Sequence, residues 1–165
     1  MNKNIAMVYA YKHSFLGIIE AINSDWRKIV RELNLTIPQH QLLWIIHFKP
    51  GSTLSQLAEY SLWTIANVTH VLNNLEKKKL AIKYMDPYDN RVKRVYLSET
   101  GEETIKKALK LAEGGYNLIK VFTQLGEEKV ANGLNSLFSL LELMQSPEYV
   151  NFIKTNTQKL MSQKD

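Results

Sequence analysis

The sequence predicts a mainly α-helical fold that carries one small β-wing of two or three strands. Apolar residues recur at helical spacing through most of the 165 residues. Only the segments 80–85 and 92–97 combine β-branched and aromatic residues around a turn-rich tip at 86–91, a pattern that predicts a hairpin. No segment is dominated by glycine, serine, proline or glutamine, so no flexible linker is expected.

Four helices are predicted before the hairpin. The first covers about 6–33, and its apolar face is wider than one small domain can bury, so it requires a partner. The second covers 39–48, following Pro38, which tolerates a first helical turn. A short third helix at 54–60 begins with a capping box of Thr53 and Gln56, and the fourth covers 64–79. The apolar face predicted for the fourth helix consists of Ile65, Val68, Val71, Leu72 and Leu75.

Further helices are predicted after the hairpin. Thr100 and Glu103 form a second capping-box pattern, which predicts that a helix begins there and loosens at 114–115. A helix at 127–145 and a short helix from Pro147 complete the chain.

The order of these elements predicts a winged helix-turn-helix, because a short helix, a tight turn and a second helix precede the hairpin. The terminal helices are expected to form a dimerisation region. We therefore divide the chain into an N-terminal dimerisation helix at 1–37, a winged helix-turn-helix domain at 38–104 and C-terminal dimerisation helices at 105–165.

Composition and charge narrow the classes of function. Lys and Arg number 21 against 16 Asp and Glu, and the formal net charge of +5 favours polyanionic partners. The chain has no cysteine, which excludes disulfides and thiolate metal sites and fits a reducing compartment. The apolar stretch 5–11 ends at Lys12, and the stretch 15–22 carries Glu20, so neither is expected to span a bilayer or direct export. We expect a cytoplasmic protein without membrane contact.

Residues across the central region resemble the MarR family of bacterial regulators. They are Leu57-Ala58-Glu59, Thr64, Val68, Leu75-Glu76, Leu80, Asp86-Pro87-Tyr88-Asp89-Asn90-Arg91 and Leu97-Ser98-Glu99-Thr100-Gly101. The resemblance covers 38–104, and Trp26 with the segment 41–45 looks most similar to a branch that regulates protease production. Leu62 and Lys79 stand where the family often has glycine, so the bend and the helix exit are expected to need different backbone solutions.

The polar face of the fourth helix supplies candidate base contacts, since such a face fits the major groove of B-DNA. The candidates are Thr64, Ala66, Asn67, Thr69, His70, Asn73 and Asn74. Asparagine can pair with adenine, and methyl groups of alanine and threonine can contact the thymine methyl. The arginine or lysine that most often reads guanine is absent from the first half of this helix. The face therefore predicts an A·T-rich operator.

The wing supplies a second set of candidates. The resemblance implies that Asp89 braces the wing and that Arg91 enters the minor groove, where narrow A·T-rich segments attract arginine. Asn90, Lys93 and Arg94 complete the set, although Lys93 and Arg94 lie on opposite faces of one strand and cannot both point the same way. The alternative is that these are solvated charges on an exposed hairpin.

Together these observations predict a homodimeric, sequence-specific regulator that binds double-stranded DNA and represses from a palindromic, A·T-rich operator. The alternative is a winged-helix protein-interaction module that has lost DNA binding. The four histidines fall on separate helices without a nucleophile motif or metal-ligand spacing, so we expect no catalytic residue, metal or cofactor. The resemblance also implies a small aromatic effector in the cleft between the dimerisation region and the DNA-binding lobes. Trp26, Trp44 and Tyr11 are candidates to line that cleft, or else to form core or dimer interface.

Overall fold

A computed structural model describes residues 3–162, and the mainly α-helical fold with a small β-wing is confirmed. Within that range the chain forms eight helices and one antiparallel sheet of two strands. The elements are α1 (Lys3–Glu32), α2 (Ile37–Phe48), α3 (Leu54–Ser61), α4 (Ile65–Lys77), β1 (Ala81–Met85), β2 (Lys93–Leu97), α5 (Glu99–Gly115), α6 (Asn117–Leu125), α7 (Glu127–Met144) and α8 (Pro147–Ser162). A third strand is reduced to one antiparallel bridge between Ser52 and Val95.

Threonine caps fix where the first helices of the domain begin. Thr36 and Thr53 each form a capping box with the glutamine three residues further on, as predicted for Thr53. Thr64 accepts a hydrogen bond from the backbone N–H of Asn67 at 3.2 Å and so caps α4. A cap of this kind typically stabilises a helix by about 1 kcal/mol, so these starting points are set by local sequence.

The start of α5 differs from the prediction. The expected capping box at Thr100 is wrong, because Thr100 lies inside the helix and Ser98 is the cap. The Ser98 hydroxyl accepts from the backbone N–H of Gly101 at 3.0 Å and donates to the carbonyl of Lys79 at 2.6 Å. At Gly101 a Cβ would lie 2.2 Å from the carbonyl oxygen of Leu80, so only glycine fits. These contacts join the start of α5 to the exit of α4.

The hydrophobic core lies where α2, α3, α4 and the sheet meet. Its fully buried side chains are Leu42, Leu43, Ile46, Leu57, Val68, Leu72, Leu75, Val95 and Ile105. Val30 of α1 and Phe152 of α8 belong to the same cluster, so the first and last helices share the core of the central domain. Ile65, predicted to be buried, is 50% exposed because it lies in the first turn of α4, ahead of the first fully buried position at Val68.

The C-terminal helices also depart from the prediction. The chain loosens after Gly115 as expected, but a separate helix, α6, follows, and α8 has 16 residues rather than being short. The buried carboxylate of Asp25 on α1 accepts hydrogen bonds from the Asn117 side chain at 2.9 Å and the Leu118 backbone at 3.2 Å. Burial alone would raise the pKa of Asp25, but hydrogen bonds from the Leu118 backbone, from Lys28 and from the Asn117 backbone, together with the charge of Lys28, lower it below its ordinary value. The carboxylate therefore stays ionised and fastens α6 to α1.

Much of α1 projects away from the core. Its large side chains Ile5, Val8, Tyr9, Ile18 and Ile19 are each more than half exposed. By length and composition alone, this 30-residue helix could also cross a membrane. Its inner end, however, contributes buried residues to the core of the domain.

Two turns of the central domain use left-handed backbone at residues other than glycine. Leu62, between α3 and α4, has a φ of 57°, and Lys79, after α4, has a φ of 59°. The expectation that these positions need different backbone solutions is wrong, because both adopt the conformation that glycine favours. For a residue with a Cβ this conformation costs roughly 1–2 kcal/mol.

Replacing Lys79 with glycine should therefore stabilise the protein by roughly 0.5–1 kcal/mol, since relief of the left-handed strain outweighs the greater freedom of glycine in the unfolded chain. Lys77→Gly is the matched control, because Lys77 lies in the helix and its replacement should destabilise by about 1 kcal/mol. Urea unfolding measures both changes. Equal destabilisation by the two variants would contradict this account of the turn.

Candidate nucleic-acid interface

The outer face of α4 carries the candidate base contacts. The helix is anchored by Val68, Leu72 and Leu75, which are fully buried, so the opposite face must point to solvent. The candidates on that side divide into exposed residues, which are Thr64, Ala66, Asn67, His70 and Asn73, and half-buried ones, which are Thr69 and Asn74. The structure therefore brings the predicted residues of this helix onto one accessible surface.

Hydrogen bonds determine which atoms these side chains present. The Thr69 hydroxyl donates to the carbonyl four residues earlier at 2.8 Å, which leaves its methyl group as the outward part. The Asn74 amide donates to the His70 carbonyl at 3.1 Å and is tied to its own helix. Thr64 uses its oxygen as the helix cap. Asn67 and Asn73 are consequently better placed than Asn74 and Thr64 to contact a base edge.

Lys83 on β1 was missed by the sequence reasoning. Its ammonium lies 2.6 Å from the Glu76 carboxylate and 3.0 Å from the Asn73 side-chain oxygen. The amide oxygen of Asn73 has two lone pairs, so this contact still allows it to accept a second hydrogen bond. Lys83 therefore orients Asn73 and links α4 to the wing, a contact that strand alternation alone could not have revealed.

The wing is organised by Asp86 rather than by Asp89 alone. One carboxylate oxygen of Asp86 accepts from the backbone N–H groups of Tyr88 at 2.9 Å and Asp89 at 3.2 Å, and the other pairs with Arg94. The hydrogen bond from Tyr88 and the contact with Arg94 lower the pKa of Asp86 below its ordinary value despite its burial. An aspartate that begins a turn before proline is the local signal that could have predicted this role.

Arg94 fastens the wing to the loop between α2 and α3. Its guanidinium donates to the carbonyl of Gly51 at 3.0 Å as well as to Asp86. Next to it, the backbone N–H of Val95 donates to the carbonyl of Ser52 in that loop at 3.0 Å. The backbone N–H of Gly51 donates to the carbonyl of Val95 at 2.8 Å. Lys93 is exposed, as the alternation of the strand predicts. Arg94 thus has internal partners that the sequence reasoning did not anticipate.

The wing tip presents Arg91 to solvent. Its side chain is 91% exposed, and Asp89 accepts from its backbone N–H at 2.9 Å and from Nε at 3.2 Å. Asn90 is also exposed, and the ring of Tyr88, which was not among the candidates, is almost entirely so. The tip therefore carries one cation held in place by a neighbouring carboxylate, with polar and aromatic groups beside it.

A short helix, a tight turn, a helix with an outward polar face and an adjacent braced hairpin define a winged helix-turn-helix. The model of the MarR family matches residues 35–93. The uncharacterized HTH-type transcriptional regulator YhbI of Bacillus subtilis is 30% identical over 113 residues, which cover 66% of this chain and 73% of that protein. The chain belongs to the MarR family, whose members are transcriptional regulators and not enzymes.

A second relative belongs to the Hpr regulators, the branch of the family that Trp26 and the segment 41–45 resemble. The HTH-type transcriptional regulator Hpr of Geobacillus thermodenitrificans is 26% identical over 116 residues, or 69% of this chain. The matched part covers 58% of that regulator's own length. The likeness therefore extends beyond the winged domain without spanning the whole relative.

Solved structures confirm the fold. The transcriptional regulator PA4135 superimposes with a TM-score of 0.70 at 25% identity, covering 82% of this chain and 97% of that one. A mutant of MepR from S. aureus, bound to an oligodeoxyribonucleotide, gives a TM-score of 0.54 at 25% identity, covering 82% and 98%.

Arg94→Ala should lower the melting temperature, because it removes the cation paired with the buried Asp86 carboxylate and the bond to Gly51. Lys93→Ala, on the exposed face of the same strand, should leave the melting temperature nearly unchanged. Because folding lowers the pKa of Asp86 below 3.8, the ionised Asp86 carboxylate stabilises the folded state above pH 3.8. This stabilisation is lost as the pH falls through the lowered pKa. The difference between Arg94→Ala and wild type should therefore shrink in acid, as measured by thermal unfolding from neutral pH to below 3.8. A constant difference would contradict the ion-pair explanation.

Proposed function

We propose that this chain is a cytoplasmic, homodimeric regulator that binds double-stranded DNA at a palindromic, A·T-rich operator and represses transcription. The observation that carries the proposal is the exposed, polar and uncharged face of α4 beside a braced wing with an exposed Arg91. Membership of the MarR family supports it, as does the likeness to MepR, which has been crystallised with an oligodeoxyribonucleotide.

Base reading is assigned to α4 in the major groove. Asn67 and Asn73 are the proposed adenine readers, because an asparagine amide can accept from N6 and donate to N7. Ala66 and the outward methyl of Thr69 suit the thymine methyl. His70 is exposed and could donate to guanine, which allows one G·C position in each half-site.

Backbone and minor-groove contacts are assigned to the wing. Arg91 is the proposed minor-groove residue, and it would exchange its exposed contact with Asp89 for the stronger negative potential of a narrow groove. Lys93 and Asn90 are proposed to contact phosphates and sugars, which position a protein without reading sequence. Arg94 is proposed to support the wing from inside, since its guanidinium already binds Asp86 and Gly51.

The homodimer is proposed because the terminal helices carry more apolar surface than one chain covers. Large exposed side chains occur along α1, along α6 at Ile119 and Phe122, and on α7 at Leu143. Because α6 contacts both α1 and α7, these exposed apolar side chains lie on neighbouring helices, as is typical of an interaction site. Two lobes related by a twofold axis would match a palindromic operator, and a dimer seated on a promoter would exclude the polymerase.

A small aromatic effector is the last element of the proposal. Trp26 and Trp44 line a cavity beside the helix-turn-helix. Tyr11, the third candidate, lies on the exposed part of α1 and does not line this cavity.

Sedimentation should show a dimer at micromolar concentration, and Ile19→Glu should shift it towards monomer, because a charge would be buried at the interface. Ala10→Glu is the matched control, since positions nine residues apart lie on opposite sides of α1. Substitutions are preferable to deleting α1, whose inner end contributes to the core. A wild-type monomer that binds DNA tightly would refute the dimer.

Arg91→Ala should weaken DNA binding while leaving the melting temperature unchanged, because a side chain with 91% exposure contributes little to stability. The slope of log affinity against log salt should fall by about 0.9 for each lost phosphate-type contact, so by up to roughly two units in a dimer. Lys129→Ala on α7 serves as the charge-matched control. If affinity and slope are both unchanged, Arg91 does not belong to the interface.

Selection of bound sequences from a random pool should return an A·T-rich consensus. Asn67→Ala and Asn73→Ala should each relax preference at one base position, at a cost of about 1–3 kcal/mol. Asn74→Ala is the control, because its amide is bonded within α4 and its loss should leave the preference intact. A G·C-rich consensus, or equal weakening on all sequences, would show that α4 does not read bases in this way. An absence of DNA binding would instead favour a winged-helix protein-interaction module.

A further inference from the structure

The first turn of α4 carries apolar surface that the fold leaves uncovered. Ile65 is 50% exposed, and Ala66 beside it is exposed as well. The helix packs against α2, α3 and β1, but its first fully buried side chain is Val68, almost one turn further on. Uncovered apolar surface gains nothing from the hydrophobic effect in the free protein. About half of Ile65 is therefore available to a molecule outside the chain.

Thr69 extends this apolar surface along the helix. Positions three and four apart on a helix are neighbours, so Thr69 lies beside both Ile65 and Ala66. The Thr69 hydroxyl donates to the carbonyl of Ile65 at 2.8 Å, which leaves the methyl group as the outward part of the side chain. The groups that Ile65, Ala66 and Thr69 present to solvent are thus hydrocarbon, and we call these three residues the methyl patch.

The surroundings of the methyl patch are polar but carry no carboxylate, ammonium or guanidinium from α4 itself. Residues 64–75 contain no aspartate, glutamate, lysine or arginine. His70 is exposed and lies one turn after Ala66, and Asn67 is exposed next to Ala66 in the chain. The patch is therefore continuous with the face of α4 that is proposed to read bases.

Thymine supplies an apolar group that fits this patch. The C5 methyl of thymine lies on the major-groove edge of the base, where the other recognition groups are hydrogen-bond donors and acceptors. An isoleucine side chain can neither donate nor accept, so a base edge gains from Ile65 only by apolar contact. Removal of one methyl group from water corresponds to a factor of about four in affinity.

We propose that the methyl patch selects thymine in the operator by contact with its C5 methyl group, and that Ile65 is a specificity-determining residue. The inference rests on the proposed function, because it requires α4 to lie in the major groove. It deepens that function by naming the chemical group that is read. This contact is distinct from those proposed for Asn67 and Asn73, which would recognise adenine through hydrogen bonds.

The test uses duplexes that differ only in methyl groups. One carries the consensus returned by selection from a random pool, and another has uracil in place of thymine within the half-sites, which keeps each base pair and removes each C5 methyl. Wild-type protein should bind the thymine duplex about fourfold more tightly for each methyl that the patch contacts, or about 16-fold with one methyl in each of two half-sites. The slope of log affinity against log salt should be the same on both duplexes, because no phosphate contact changes. A third duplex, with uracil only in the flanks, should bind like the first.

Ile65→Ala should weaken binding to the thymine duplex and leave binding to the uracil duplex nearly unchanged, so that most of the discrimination is lost. Its melting temperature should change little, since the side chain is half exposed and alanine favours a helix. Ile82→Ala is the matched control. Ile82 is 38% exposed on β1, and strand alternation points it away from the face of Lys83, which contacts α4. This control should keep the preference for thymine.

Two substitutions at Thr69 separate its methyl from its hydroxyl. Thr69→Ser removes the methyl and keeps the hydroxyl that bonds to the carbonyl of Ile65, so it should reduce the discrimination between thymine and uracil. Thr69→Val removes the hydroxyl and keeps a methyl, so it should restore the discrimination that serine loses. A change in the stability of α4 alone would alter binding to both duplexes equally and would not produce this order.

Equal affinity of wild-type protein for the thymine and uracil duplexes would overturn the inference while leaving the proposed function intact. The same holds for a preference that survives unchanged in folded Ile65→Ala, or one that is kept by Thr69→Ser and lost in Thr69→Val. A protein that binds none of the duplexes would defeat the proposed function, and the inference with it.

Discussion

Burial of one face of α4 is the interaction on which the rest of the structure depends. Val68, Leu72 and Leu75 are fully buried against the core shared by α2 and α3, and they fix the rotation of the helix about its axis. Because residues three and four apart share a face, the same packing forces Asn67 and Asn73 outward. Burial of the apolar face therefore determines which side of the helix presents its polar residues to solvent.

The wing is positioned by charge and hydrogen bonds rather than by apolar burial. The Asp86 carboxylate accepts hydrogen bonds from the backbone of the tip, and the Arg94 guanidinium joins that carboxylate to the carbonyl of Gly51 in the loop between α2 and α3. A two-stranded hairpin has little stability by itself, so these contacts hold the wing against the central domain. Among the described residues, the exposed Arg91 side chain pairs with its neighbour Asp89 and takes no part in the contacts of Asp86 and Arg94 that hold the wing.

The terminal helices connect the periphery of the molecule to this centre. α1 contributes Val30 to the core while its outer part remains exposed, and α8 contributes Phe152 to the same cluster. Packed side chains therefore connect both terminal helices to the helix-turn-helix, and such packed interiors have discrete arrangements and do not deform continuously.

Local patterns in the sequence predicted helices α1 to α5 and α7, the hairpin and the polar face of α4, but they missed α6 and the length of α8. The capping box at Thr53 and the turn-rich wing were predictable because their partners lie within a few residues. Only the tertiary structure decided which charged side chains already have internal partners. The Arg94 guanidinium donates to the carbonyl of Gly51, 43 residues away, and the Asp25 carboxylate accepts from Asn117 of α6, 92 residues away. Propensity and periodicity describe neighbours along the chain, whereas the partner of a buried polar group is chosen by packing between distant segments.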